Sequence, residues 1–223
     1  MADWATISAL ATAGGTLVLA TATFSSVRSA NRAARTAERA FQAGVRPVLF
    51  NSNLDDSVQK IWWGDRHRAS LRGGQAVVDH VDGVIYLAMS LRNGGAGIAV
   101  IWGWRIAPAP VLENPTILDG DPRRTLFVRP EPDTFRPQGR DLYVPSSGVS
   151  FWQAAMRTSD DRDREPVLDA IDRGCPLAIS LLYGDHEGGQ RTVTLFIVNP
   201  VPDRSTWLCS VGRHWNLDRD DPR

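Results

Sequence analysis

Hydrophobic and polar positions divide this chain at one sharp boundary. Residues 4–27 carry no charge, and arginines then follow at Arg28, Arg32, Arg35 and Arg39. As a helix rising 1.5 Å per residue, the uncharged run spans about 36 Å, enough for a hydrocarbon core of about 30 Å with some tilt. Its strong contributors are Ile7, Leu10, Leu17, Val18, Leu19, Phe24 and Val27, diluted by Ala, Thr, Ser and the Gly14-Gly15 pair. Together those seven supply about 2 to 4 kcal/mol of insertion free energy. A cleaved signal peptide would need a positive leading region, which Met1 to Asp3 does not provide. A small-residue helix buried against protein is the other competing reading. The pattern favours a retained transmembrane segment over residues 1–27.

The arginine spacing of four, three and four lies along one face of a helix, which extends the span into a basic juxtamembrane helix over residues 28–46. Gly44 and Pro47 end it. Within about 20 residues of the membrane the C-terminal flank carries Arg28, Arg32, Arg35, Arg39 and Arg46 against Glu38, whereas the N-terminal flank has no Lys or Arg. Positive flanks stay inside, so the amino end is expected outside and the rest of the chain in the cytoplasm. The stripe either grips anionic headgroups, at up to about 1 kcal/mol per residue, or is only a topology signal on a solvated face. Ser8, Thr12, Thr16 and Ala20, spaced by four, allow two spans to pair as a homodimer.

From residue 47 the period changes to two. In residues 84–92, Ile85, Leu87, Met89 and Leu91 alternate with Tyr86, Ala88, Ser90 and Arg92. Ile98, Val100, Trp102, Trp104 and Ile106 are expected on one strand face. Cys175, Leu177, Ile179, Leu181 and Tyr183 share another, and Val193, Leu195 and Ile197 a third. Weaker strands are expected at 48–53, 59–63, 75–79, 126–128, 150–154 and 206–211. One helix is expected at 166–173, stopped by Gly174. The expected fold is mainly β: one antiparallel β-sandwich or open barrel over residues 47–217, with a single short helix. Residues 108–145 hold eight of the fourteen prolines; since proline is excluded from central strands, this Pro-rich stretch is read as a loop insertion with one or two edge strands. Residues 218–223 are too polar to pack and are expected to fray.

Composition and charge exclude more than they assign. The 25 basic residues balance 25 acidic ones, 24 of the former being arginine, a habit of high-GC genomes. With no basic patch interleaved with aromatics beyond the juxtamembrane helix, nucleic acid is not an expected partner. Asp79-His80 with Asp82, and Asp185-His186-Glu187, would form a metal or hydrolase site only if their two turns met, and neither has His-x-x-x-His or Cys-x-x-Cys spacing. Turn positions explain the same residues without chemistry. Neither a nucleophile elbow around Ser146, Ser147 or Ser205 nor a Gly-rich phosphate loop is present. No metal site or cofactor is assigned. Cys175 and Cys209 are expected as buried thiols. Of Trp62 and Trp63, adjacent on a strand, one must point outward and is an interaction candidate.

Arg46-Pro47 leaving an arginine-rich helix, the run Leu91-Arg92-Asn93-Gly94-Gly95-Ala96-Gly97-Ile98-Ala99, and Tyr183-Gly184-Asp185 with Thr192 after a glycine turn form a layout. It resembles that of uncharacterised bacterial, notably actinobacterial, membrane proteins with one N-terminal transmembrane helix and a β-sandwich domain. The resemblance implies that architecture and carries no activity. The expected function is accordingly a membrane-tethered cytoplasmic interaction or scaffold module, bound to lipid through residues 4–27 and contacting another protein. The alternative is an enzyme using the His80 and His186 turns.

Overall fold

The computed structural model of the protein describes residues 3–109, 128–158, 161–202 and 206–221, apart from the side chains of residues 5 and 6. It divides into two units after Gly44. The first is helix α1 (Trp4–Gly44), 41 residues long, or about 60 Å at 1.5 Å per residue. It is the one helix among the described residues long and apolar enough to cross a membrane. The uncharged half runs into the arginine half without a break, and at 100° per residue the four arginines fall within an arc of about 60°. Five of the hydroxyls that dilute the apolar run, on Thr12, Thr16, Thr21, Thr23 and Ser25, are satisfied inside the helix. Thr12 donates to Ser8 O at 2.9 Å, Thr16 to Thr12 O at 2.9 Å and Thr23 to Leu19 O at 2.8 Å. Such back-bonding makes a Thr-rich segment tolerable where no water is available.

The second unit is the β domain. In chain order its strands are β1 (Leu49–Asn51), β2 (Gln59–Trp62), β3 (Arg68–Leu71), β4 (Gln75–Val81), β5 (Val84–Asn93) and β6 (Ala99–Pro108). They continue with β7 (Arg136–Val144), β8 (Val149–Met156), β9 (Leu177–Asp185), β10 (Arg191–Pro200) and β11 (Trp207–Asn216); helix α2 (Arg164–Asp172) precedes β9. The sheet runs β8-β5-β4-β11-β10-β9-β6-β7, with β1 beside the end of β5, and β2-β3 form a separate hairpin. All pairs are antiparallel. The sheet curls into a half-barrel, so the expected open barrel, not two stacked sheets, describes the domain.

Ile85, Leu87, Met89 and Leu91 of β5 enter the main core as their alternation requires, with Leu177, Ile179, Leu181 and Tyr183 of β9. Val167 and Ala170 of α2 pack into that core, and Gly174 ends the turn after it with φ 64°. Strand β5 is also buried on its other face: Tyr86 and Ala88 pack against Ile61, Trp63 and Leu71 of the β2-β3 hairpin. Strand β3 is absent from the expected elements because its Arg68-Ala69-Ser70-Leu71 offers a single large apolar side chain. Val193 and Leu195 do share a face, but it lines a separate outer cluster with Trp215; Phe196 and Val198 fill the main core. The strand expected at 126–128 lies mostly outside the described residues.

The face expected of Ile98, Val100, Trp102, Trp104 and Ile106 does not exist. Opposite β9, Ile101 pairs with Tyr183 and Gly103 with Leu182, leaving Trp102 as an extra residue. This bulge shifts the phase by one. Core positions are therefore Ala99 and Ile101 before it and Trp104 and Ile106 after it. The Trp102 indole lies over Gly184, where a Cβ would strike both that ring and the Gln190 carbonyl.

Where the chain enters the β domain, Arg46 is 6% exposed. It is a core cation, although its expected place is the end of the basic juxtamembrane helix. Its guanidinium donates to Thr192 Oγ1 at 3.0 Å and Asn216 Oδ1 at 3.1 Å, and pairs with Asp218. The tail is correspondingly ordered through Asp221: Asn216 N donates to the Asp221 carboxylate at 2.8 Å, and Asn216 Nδ2 to Asp220 O at 2.7 Å. Fraying from residue 218 is thus corrected, because a buried guanidinium requires a carboxylate. Burial alone would raise the Asp218 pKa, but the hydrogen bond and charge of Arg46 outweigh it and hold the carboxyl low. Next to Arg46, Asn93 accepts from Val48 N and Gly95 N and donates to Gly97 O and Val144 O. A Cβ on Gly97 would strike the Val45 carbonyl. Leu49 N donates to the Tyr183 hydroxyl at 3.1 Å; that hydroxyl meets Thr194 Oγ1, which meets His214 Nδ1 at 2.7 Å. Burial pushes the Tyr183 hydroxyl up to about 12.

Replacing Arg46 by Ala leaves Asp218 without its cation and is expected to cost about 3 to 5 kcal/mol, measured by denaturant unfolding of the full chain in detergent. Burial lowers the His214 pKa. The unfolded chain takes up this proton near pH 6.5 while the folded chain resists it, so the contribution is complete above that pH and is lost as pH falls below it. An NMR titration should find His214 titrating below the ordinary histidine range, and His214→Gln should flatten the stability profile in that window.

Candidate functional site

Strands β7 and β8, the two ends of the half-barrel, face each other without a backbone ladder. Gln138 bridges them: its Nε2 donates to Gln153 O at 3.1 Å, and its Oε1 accepts from Trp152 Nε1 at 3.1 Å. Beside this bridge opens a cleft of about 450 Å³, with Trp63, Trp104, Gln138, Arg140, Gln153 and Arg157 among its walls. The cleft lies where β6 and β7 lose register. Opposite β6, Ile101 pairs with Leu142 but Gly103 with Pro137, so residues 138–141 leave the ladder and carry Gln138 and Arg140 into the seam. The expectation of an edge strand in the Pro-rich stretch is met by β7, which also carries a cleft wall.

Three arginines surround the seam, and their pairing differs. Arg136 lies over the Trp104 ring at 5.0 Å and pairs with Asp161 and Asp163. Its hydrogen bonds hold the Asp161 carboxyl below its usual range. Arg157 pairs with Asp65 at 3.0 Å. Arg140, exposed on β7, has no hydrogen-bond or carboxylate partner among the described residues. Gln153 is 6% exposed. Its Nε2 donates to Trp62 O at 3.3 Å, which fixes the amide orientation and leaves Oε1 buried with no partner. An unmet buried acceptor in the same cleft as a cation with no carboxylate among the described residues suits a ligand bearing both a donor and an anionic group.

Behind the cleft the β2-β3 hairpin holds an aromatic stack. Trp63 is 5% exposed and donates Nε1 to Ala154 O at 2.9 Å. Its ring meets Tyr86 edge-on at 5.3 Å, and Tyr86 stacks on His67 at 3.9 Å. Tyr86 donates its hydroxyl to Asp65 at 2.7 Å. That bond first, and Arg157 next, holds the Asp65 carboxyl below its ordinary range. Asp79 meets His67 Nε2 at 3.2 Å, so its carboxylate serves the hairpin and not the adjacent His80.

Of the sequence candidates, His80 and His186 are exposed and lie at opposite ends of the sheet. With Ala76 opposite Trp207, the β4-β5 turn lies past the start of β11; with Thr192 opposite Asn216, the β9-β10 turn lies past its end. A ten-residue strand puts roughly 30 Å between them. Asp185 accepts from Gly189 N at 2.8 Å and Gln190 N at 3.3 Å, which commits its carboxylate to the turn. The shared His80/His186 site is therefore overturned. No group of three or more His, Cys, Asp or Glu among the described residues could hold a metal. Both cysteines are free thiols, Cys209 buried and Cys175 half-buried; burial pushes the Cys209 thiol up to about 12. Trp62 is the outward member of its pair, 54% exposed with the Arg68 guanidinium 4.1 Å above its ring. Arg28, Arg32, Arg35 and Arg39 are all exposed on α1.

Sequence reasoning missed Arg140, Gln138, Gln153 and His67. Gln138 and Arg140 lie in the stretch of β7 that leaves its ladder with β6, and Gln138 meets Gln153 of β8 across the seam, neighbours that no periodicity announces. His67 had one signal, Asp65 two residues before it in a turn. No family model matches this chain, and no curated protein or solved structure does either. Tyr86→Phe removes the leading hydrogen bond to Asp65, so the Asp65 carboxyl should titrate at higher pH in carbon-detected NMR, while an unchanged titration would assign its low value to Arg157.

Proposed function

We propose that the protein is a membrane-tethered interaction module, its β domain working at the cytoplasmic face of the membrane. The observation that carries this reading is the continuity of α1 across the boundary at Arg28. One unbroken helix joins an uncharged, hydroxyl-satisfied segment to four arginines on one face. Under the rule that positive flanks remain inside, this arrangement supports a cytoplasmic β domain. The arginine face meets anionic headgroups just outside the hydrocarbon, and Ser8, Thr12, Thr16 and Ala20 leave a small-residue face on which two spans can pair.

Support for interaction in place of catalysis comes from how the polar chemistry is spent. Asp185 caps a turn, Asp79 holds His67, and Asp65 receives Tyr86 and Arg157. Among the described residues, Trp62 on its hairpin and the unpaired groups of the β7-β8 cleft stay open, features of a docking surface.

Removing residues 4–27 should shift the protein from the membrane fraction to the soluble fraction; a truncated chain that still sediments with membranes refutes the anchor. Fused at the C terminus, a reporter active only in the cytoplasm should give signal and one active only outside should stay silent. The reverse result overturns the orientation.

A further inference from the structure

We propose that the β7-β8 cleft captures the carboxy-terminal end of a partner polypeptide whose last residue is apolar. This deepens the interaction-module reading and rests on it. Three groups define the ligand. Arg140 is the cleft arginine without a carboxylate among the described residues, whereas Arg136 and Arg157 are neutralised by Asp161, Asp163 and Asp65. It therefore asks for an anion from outside. Gln153 Oε1, buried and unpartnered, asks for an N–H donor. Trp63 and Trp104 supply the apolar wall. A terminal carboxylate, its own amide N–H and an apolar side chain present these three features within one residue.

The choice of a chain end over an internal acidic segment follows from the bridge. Gln138 spans the seam through bonds to Gln153 O and Trp152 Nε1, so an extended chain entering the cleft cannot continue along it. At about 450 Å³ the space lies toward the small end of ligand cavities, about 300 to 1,000 Å³, which suits a short terminus. Because β7 and β8 have no ladder to each other, the entering backbone meets two strand edges.

The test uses the full chain in detergent micelles and a pool of fluorescein-labelled tetrapeptides ending in Leu, Ile, Val or Phe, read by fluorescence anisotropy. Free-acid peptides should bind. Converting the terminus to a carboxamide, or Arg140 to Gln, should weaken binding by about tenfold or more, and Arg140→Lys should restore most of it. Arg140 is exposed, so these variants leave the core intact. Absence of binding by the free-acid pool, or equal binding of acid and carboxamide, overturns the proposal; so does stronger binding of carboxamide peptides carrying an internal Glu, which would assign the cleft to side-chain carboxylates. A pull-down from membranes separates the two levels of the argument. Partners retained equally by the wild type and Arg140→Gln would remove the cleft proposal while leaving the interaction module in place.

Discussion

One extra residue in β6 governs much of this domain. Antiparallel pairing demands that two strands advance together, and at Trp102 they do not. The consequence on the inner side is a change of phase, so that Trp104 and Ile106 rejoin the core face begun by Ala99 and Ile101. On the β9 side the displaced indole needs room, which Gly184 provides by lacking a Cβ. On the β7 side the ladder lapses for four residues, 138–141. The irregularity at Trp102 thereby resets the core face and sits against a glycine, while the cleft opens beside the lapse in β7; bulges commonly re-aim side chains in this way at barrel rims.

The half-barrel also shows how a sheet can stop short of closure. Full closure would remove both edges through backbone hydrogen bonds. Here Gln138 takes that role with two side-chain bonds, while the outer face of β5 is covered by the β2-β3 hairpin. A side-chain bridge holds the ends together yet leaves Gln153 Oε1 unmet, a cost that a fully paired ladder would not impose.

At the other end of the domain, the segment after α1 is locked by polar groups drawn from distant parts of the chain. Arg46 is held by Thr192, Asn216 and Asp218, Val48 by Asn93, and Leu49 by Tyr183. Here an entering backbone crowded against Gly97 has its donors met by buried side chains, as burial requires. Asp218, at the start of the tail, belongs to the same lock.

Local pattern by itself determined the long apolar helix, its arginine face, the alternation in β5 and β9, and the stop at Gly174, because each is set by neighbours within a turn or along one strand. The inward position of one of Trp62 and Trp63 was equally fixed by alternation, though which one was not. Tertiary structure alone decided the rest. Whether Arg46 is a surface charge or a core cation depends on Asp218, 172 residues away. Whether the His80 and His186 turns meet depends on strand order, and the register of β11 holds them apart. Arg140 and Gln153 share a cleft only because β7 and β8, at the two ends of the sheet, become neighbours across the seam. Periodicity describes a strand relative to itself; pairing register, which carries chemistry from one strand to another, is settled by which strands become neighbours.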